Sequence, residues 1–592
     1  MSADNTLCIE VAWEVCNQVG GIYTVIRTKV PAMISEWGDS YLLIGPYNAG
    51  SAKVEFEPEE PEGYLADVIS RMNSDHTVVH YGRWLVPGEP PVLLIDASAR
   101  SAELGNYKKF LWDRFRVSTV NPDSLVDEVL LFTSVAAELL REIAGSSGNK
   151  VLAHFHEWMA GPAILSLKQE PSIRTVFTTH ATLVGRYVAG DNRPLYQELE
   201  QIDANERAAH YGILSRHLLE RASAQECDVF TTVSEVTGRE SIRFLGRQPD
   251  YLLPNGLNAH HFTALHEFQN LHRLFKEKIN EFVMGHFFPS YTFDLDRTLY
   301  LFISGRYEYR NKGMDVFLAA LERLNTRLQA EKNPPTVIAF IITNRPTRHI
   351  SVDVLKSSIL LHDLRTLTGE IKEQMGEKLL RAALERKLPT YEELLPRDSV
   401  ARLKRTILGF SRNELPGVTT HDLSEGGDPV IEQLRASGLK NAANQPVKVV
   451  FHPEFVSSTN PPFHLDYDQF VRGCHLGVFP SYYEPWGYTP LECIALGLPT
   501  VTTDLSGFGG YVQEHISNSE SSGILVLKRS MKDDKEIIVD LANYLFWFSQ
   551  RSRRERIEMR NKAERLTEHF DWTSLIKHYH EAHEAALKGA AA

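Results

Sequence analysis

Short runs of apolar, mostly β-branched residues recur along the chain, and each is followed by a longer stretch with helical spacing. In the first half the runs are residues 7–12, 41–44, 92–95, 151–154, 175–179 and 228–233. In the second half they are 299–304, 336–342, 447–451, 476–479, 499–503 and 523–527. Near-continuous apolar strands suit a parallel sheet, because helices cover both of its faces. Alternation with helices gives βαβ units. Two such series predict two doubly wound α/β sheets facing each other. Ligands bind such sheets at the carboxyl ends of the strands, so functional residues are expected in the loops just after them.

The break between the series falls near Pro254-Asn255-Gly256. Proline fixes φ and glycine permits positive φ, so this is a hinge or simply a tight turn. Between Pro346 and Pro446 the sequence becomes long, charged and helical. Leu360, Leu364, Leu367 and Ile371 form one stripe there; Phe268, Leu271, Phe275, Ile279 and Phe282 form another earlier. Such stripes seam two helices together, or lay one helix on its own domain.

The length, 592 residues, exceeds what one core supports and agrees with two large domains. The net charge of -13 argues against a nucleic-acid binder. The five cysteines are scattered, with no C-x-x-C pair, so neither a disulfide framework nor a zinc site is indicated. The start of the chain lacks the pattern of a signal peptide, and no apolar run is long enough for a bilayer. A cytoplasmic protein, bound to neither membrane nor nucleic acid, is expected.

Gly20-Gly21 follow the first strand and precede a helical segment, where backbone amides receive a phosphate well. The motif is short, and a plain turn explains it too. Ser304-Gly305-Arg306 follows another strand, with Lys312 six residues beyond Arg306. An arginine fork and a mobile lysine suit a diphosphate and stabilise the charge of a departing one. A solvated basic loop is the other reading. Arg186 is a similar cation from the opposite sheet.

The stretch from Phe479 to Gly510 is the most informative. Glu484 stands in a loop with Pro485 and Gly487, and Glu492 lies on the helix expected to follow. Paired glutamates suit a retaining glycosidase as nucleophile and acid. A hydrolase needs no phosphate grip, so the cations favour a transferase that expels a nucleotide.

Glu484-x7-Glu492 resembles the donor signature of retaining glycosyltransferases with two facing Rossmann-like domains, the GT-B fold. The resemblance sharpens with Val11-Ala12-Trp13-Glu14-Val15, His154-Phe155-His156-Glu157-Trp158, Tyr467 to Cys474 and Leu505-Ser506-Gly507-Phe508-Gly509. Together these resemble glycogen synthase of the animal and fungal type over nearly the whole chain. Plant and typical bacterial synthases carry Lys-x-Gly-Gly near the start. Here Gln18-Val19-Gly20-Gly21 stands instead, which points to UDP-glucose rather than ADP-glucose.

The resemblance implies an acceptor-side domain over 1–262 and a nucleotide-sugar domain over 263–570. A helical oligomerisation insertion would span about 346–446, and a C-terminal helix, 571–592, would return to the first domain. It implies that Arg306 and Lys312 hold the UDP diphosphate, with Arg186 and the amides at Gly20 and Gly21 opposite. Tyr467 would stack on uracil. Trp486, Gly487 and Thr489 would shape the donor site. Glu484 would stabilise positive charge at the anomeric carbon, Glu492 would bind hydroxyls, and His180 would line the sugar site. Glucose would pass to the non-reducing end of an α-1,4-glucan with retention, without cofactor or metal. A non-catalytic glucan-binding scaffold on the same fold is the rival; it has no use for Arg306, Lys312, Glu484 and Glu492 together.

Two patterns imitate metal sites. Asp466-Tyr467-Asp468 matches D-x-D, but it precedes an amphipathic helix. His154-x-His156 offers two ligands with no third evident nearby, so structural histidines are expected. Finally, the basic segment with Arg553, Arg554, Arg556, Arg560 and Arg565 resembles the family's arginine helix, which responds to glucose-6-phosphate. Lys562 stands where the family usually has arginine. Control by tail phosphorylation is not expected, since the chain ends soon after Asp571-Trp572. A homo-oligomer, expected as a tetramer, and a glycogenin-like primer complete the implied partners.

Overall fold

The computed structural model describes residues 6–74, 77–119, 123–258 and 268–589. All twelve apolar runs are strands. Among the described residues, nine strands form the first sheet, in the order Phe56–Pro58, Val78–Trp84, Pro91–Asp96, Tyr41–Pro46, Thr6–Ala12, Lys150–His156, Ile173–Thr179, Val229–Thr232 and Tyr251–Leu252. The pairing is antiparallel only at the first edge, where two strands escape the sequence pattern. Val78–Trp84 mixes polar with apolar residues and is only partly buried, unlike the continuous apolar runs.

The second sheet is parallel throughout, in the order Val447–His452, Thr336–Ile342, Thr298–Ser304, Leu476–Val478, Thr500–Thr503 and Ile524–Leu527. The two doubly wound sheets that the sequence predicts are therefore present. Beside them stands a two-stranded antiparallel sheet, Thr347–Ile350 with His421–Leu423. Between its strands run the helices Val352–Leu384 and Arg397–Phe410. On the long helix Leu367 and Ile371 are buried, as the stripe predicts, whereas Ile359, Leu379, Leu380 and Leu384 are exposed.

The helix Trp572–Lys588 packs on the first sheet, although it follows the second in sequence. Trp572, Leu575, Tyr579, Ala582 and Ala586 recur at spacings of three and four. They join a core that includes Cys8, Val25, Leu152 and Val176. The return crossing lies against the outward one. Leu257 N donates to Phe570 O at 2.9 Å, and Trp572 N donates to Leu257 O at 3.1 Å. Gly256 is needed there, since a Cβ would lie 2.9 Å from Phe570 O. The hinge candidate 254–256 thus sits where the two crossings meet. The expected boundary at 262/263 lies outside the described residues, as does the side chain of Phe268. Among the described residues, no helix is long and apolar enough to cross a membrane.

Candidate active site

In each sheet the chain reverses its direction of build-up once. In the first, Thr6–Ala12 separates strands added on one side from Lys150–His156 and its successors on the other. In the second, Thr298–Ser304 and Leu476–Val478 flank the reversal. Crevices open outside the carboxyl ends of such strand pairs. The loops there are 13–20 and 157–161 in one half, and 305–313 and 479–487 in the other. These loops hold six of the twelve catalytic and donor-site candidates: Gly20, Arg306, Lys312, Glu484, Trp486 and Gly487.

Lys312 and Glu484 form an ion pair, with both side chains largely buried. Two backbone features hold it. Gly313 has φ +73, and a Cβ there would lie 2.1 Å from Pro480 O, so the lysine loop packs directly on the glutamate loop. Gly487, with φ +115, then turns the chain into the helix Tyr488–Ala495. Pro480 O also accepts from the buried Arg529 guanidinium, and Ser481 O accepts from Thr503 Oγ1 at 2.7 Å. Arg306 is not part of this cluster. Its side chain is 66% exposed and pairs with Glu308 at 3.1 Å.

Across the cleft, Glu14 accepts from Gly20 N at 2.6 Å and Tyr23 N at 3.0 Å. An internal carboxylate therefore uses the amide of Gly20 that the sequence offers to a phosphate. Glu157 adopts a left-handed φ of +65, uncommon for a side-chain-bearing residue. Its carboxylate accepts from the amides of His180 and Ala181 at 2.9 and 3.1 Å. Burial raises Glu157 to about 7, against the opposing pull of Arg186. Arg186 itself is exposed to solvent, yet it feels Glu157, Tyr483 and Glu308. It is a cation open to the cleft and touched by the fields of both halves.

The Glu484 loop also reaches the first half through its tyrosines. Tyr482 Oη donates to Gln197 Oε1 at 2.7 Å, and Tyr482, Tyr483 and Leu505 pack among Leu183, Leu195 and Leu199. Ser234 Oγ donates to Pro485 O at 2.9 Å. The two halves meet around the candidate residues.

Tyr467 Oη bonds Ser304 Oγ at 2.6 Å, which brings it to the carboxyl end of Thr298–Ser304. Asp466 caps its helix reciprocally with Gln469, which gives the first acid of the D-x-D pattern a structural role. Thr489 lies in the first turn of the helix Tyr488–Ala495, and Glu492 follows three residues later. Burial pushes Glu492 up to about 7, with Arg27 of the opposite half pulling it down. Trp486 departs from its expected place: its ring is buried with Leu491, Phe508 and Phe570. Trp486 O accepts from Phe508 N at 2.8 Å. Its indole thus supports the loop from behind. Arg27 and Glu157 are site neighbours that residue patterns did not single out. Arg27 sits mid-helix among apolar residues, and nothing in sequence links it to Glu492 some 465 positions away.

The helix Arg553–Arg565 starts at Ser552 with a reciprocal cap from Glu555. Arg553, Arg556 and Arg560 line a cavity of about 430 Å³ with His272, Arg273 and Lys276. Burial lowers Arg560 to about 9, and Arg560 Nη2 donates to Arg472 O at 3.1 Å. Arg554 instead pairs with Glu558 at 3.2 Å on the outer face, and Arg565 is exposed beyond the cavity. Neither expected contributor lines it, because only spacings of three and four share a helix face. Lys562 also leaves it, with Nζ donating to Ser521 O at 3.3 Å.

A doubly wound pair of sheets, with cations and a glutamate loop at facing switch points, defines a GT-B glycosyltransferase. The catalytic domain of starch synthase IV from Arabidopsis thaliana shares this fold, with a TM-score of 0.53 at 14% identity over 99% of each chain. The family model for glycogen synthase matches residues 10–591. The liver glycogen [starch] synthase of Homo sapiens is 43% identical over 100% of this chain and 84% of its own length. The Neurospora crassa glycogen [starch] synthase is 44% identical over 99% and 84%. The chain belongs to the glycogen synthase family, and it is a glycosyltransferase that joins a sugar-nucleotide donor to a glucan acceptor.

Proposed function

We propose that the Lys312–Glu484 pair is the catalytic centre of retaining glucosyl transfer from UDP-glucose to an α-1,4-glucan end. The carrying observation is that pair, held between the two switch-point loops of the second sheet. When a nucleotide sugar enters, Lys312 exchanges its carboxylate partner for the diphosphate. Glu484 is then freed to face the anomeric carbon and stabilise positive charge there. Arg306, exposed at the lip, folds in on the same diphosphate, and Arg186 reaches it from the other half. Tyr467 stacks on the base, and Thr489 with its helix amides adds phosphate contacts. Glu492 takes hydroxyls, and His180 lines the sugar pocket. The paired crossings at 257 and 571 are the axis about which the cleft opens and closes.

No metal enters this chemistry, because lysine and arginine supply the positive charge at the leaving group. Excess chelator is expected to leave the transfer rate unchanged; a rate restored only by added divalent ions would end this reading. The five cysteines are free and buried, which agrees with work in a reducing cytoplasm. Label transfer from UDP-glucose and from ADP-glucose to glycogen tests the donor. Faster use of ADP-glucose would overturn the choice of uridine.

The cavity beside Arg553, Arg556 and Arg560 is proposed as the site for glucose-6-phosphate, which its cations suit. Arg556→Ala is expected to remove most activation while the unstimulated rate persists. Titration of the variant with the sugar phosphate checks this, and unchanged activation would remove Arg556 from the site. The exposed leucines of Val352–Leu384 are proposed as the seam between subunits of a tetramer, and a glycogenin-like protein as the source of primer.

A further inference from the structure

A polar network lies sealed behind His180, and no step of the proposed transfer uses it. Glu10, His154 and His156 share one face of the first sheet, since residues two apart on a strand point the same way and the register pairs Glu10 with His154. Their polar atoms lie within 4.8 Å of one another. The chain supplies its own cation there. Lys29 Nζ is 2.9 Å from Glu10 Oε1, both side chains fully buried, and 3.9 Å from the centre of the Tyr579 ring. Burial opposes charge on Glu10, but Lys29 and His156 outweigh it and hold the carboxyl at about 2.

The hydrogens in this network can be assigned in order. A carboxylate only accepts. His156 Nε2, 3.3 Å from Glu10 Oε2, therefore carries a hydrogen. Burial keeps His156 below the usual imidazole range, so the ring is neutral and its Nδ1 is a bare acceptor. His180 Nε2 lies 3.1 Å from that nitrogen and must donate to it. Burial holds His180 neutral as well. Its Nδ1 is then a bare acceptor, with no partner among the described residues.

A parallel chain fixes His154. Thr231 Oγ1 donates to Phe177 O at 3.1 Å and so accepts from Thr178 Oγ1 at 2.6 Å. Thr178 in turn accepts from His154 Nε2 at 2.7 Å. His154 Nδ1 is left to accept from His583 Nε2 at 3.1 Å. Tyr579 and His583 both belong to the returning helix Trp572–Lys588.

We infer that the buried Lys29–Glu10 pair acts through His156 as a tautomer lock on His180, leaving Nδ1 of His180 to accept a hydroxyl of the sugar. Lys29, Glu10 and His156 are positioning residues. The lock is complete only when the C-terminal helix lays Tyr579 over Lys29. This inference rests on the reading of the cleft as the transferase site.

The groups around His156 set the sign of the test. They are Glu10 on the first strand, Tyr41 on its neighbour, Lys29 on the helix Gly21–Trp37, His154 on the strand Lys150–His156, His180 just after the strand Ile173–Thr179, and Tyr579 and His583 on the last helix. In Lys29→Met, Glu10 becomes the only charge beside His156, so the His156 pKa rises. Protonated His156 donates from both nitrogens. His180 Nε2 must then accept, and its hydrogen moves to Nδ1, where it opposes a donating hydroxyl.

Neutron diffraction of the wild type in heavy water is expected to show deuterium on Nε2 of both His156 and His180. Deuterium on either Nδ1 would overturn the assignment, with no variant needed. The kcat/KM profile of Lys29→Met should fall more steeply on the acid side than that of the wild type, by about a further tenfold per pH unit below the new pKa. An unchanged profile overturns the lock. Glu10→Gln/Lys29→Met, in which the amide oxygen still accepts from His156 and no charge remains, should keep the wild-type profile. A steeper acid side there also overturns it, and this variant carries the test if the single one fails to fold. A wild type with the assigned tautomers but no glucosyl transfer would end the reading of the cleft and leave the assignment standing.

Discussion

Lys312→Ala is expected to lower kcat by about 10²–10³-fold, the usual loss when one fixed charge stabiliser is taken from a transition state. The chain around it should stay folded. Lys312 lies outside the hydrophobic core cluster of its domain, and Pro480 keeps its contacts with Gly313 and Arg529. The unpaired Glu484 is largely but not wholly buried, so water relieves it in part. Glu484→Gln tests the same centre from the other side. It keeps the shape and removes the charge at the anomeric carbon, and kcat should again fall by orders of magnitude. Purified variants, thermal unfolding midpoints and initial rates with UDP-glucose check both. Near-normal rates in folded variants would move the catalytic centre elsewhere.

Gly313→Ala carries the second large effect, and it acts through backbone. Alanine is strained at φ +73, and its Cβ would meet Pro480 O at 2.1 Å and the carbonyl carbon at 2.6 Å. Neither atom belongs to a flexible side chain, so the loops must separate. The expected destabilisation is at least about 3 kcal/mol. Separation also moves Lys312 relative to Glu484, and a displacement near 1 Å costs about 10²-fold in rate. Thermal unfolding and kcat measured on the same preparation distinguish the outcomes. A variant with wild-type stability would show that the loop relaxes cheaply.

The two effects differ in how they were legible. Lys312 and Glu484 were candidates from sequence because each follows an apolar strand run, and loops after parallel strands carry function. Their partnership was not visible. It depends on the strands Thr298–Ser304 and Leu476–Val478 lying side by side although they are far apart in sequence. The arginine helix shows the same division. Spacing put Arg553, Arg556 and Arg560 on one face, but His272 and Lys276, which complete the cavity, come from a distant helix.

Other expectations changed once packing was known. Gly20 looked like a phosphate ligand because a glycine pair opens a helix, yet Glu14, six residues earlier, already accepts from its amide. The resemblance made Trp486 a donor-site residue, yet its ring is buried in a cluster with Phe508 and Phe570. His154 and His156 looked isolated because no third polar ligand stood near them in sequence. Glu10 arrives through strand register, Lys29 through the covering helix, and His583 from the far end of the chain.

The sequence by itself determined the twelve apolar strands, their parallel arrangement, the two-sheet architecture and the candidate loops, while the antiparallel strands Phe56–Pro58 and Val78–Trp84 escaped it. These follow from the short apolar runs and the helical spacing between them, which are local properties. The tertiary structure alone decided which loops meet, which charges find partners and which aromatic rings are buried. Ion pairing, hydrogen-bond direction and burial are properties of neighbours in space, and strand order and the returning C-terminal helix choose those neighbours.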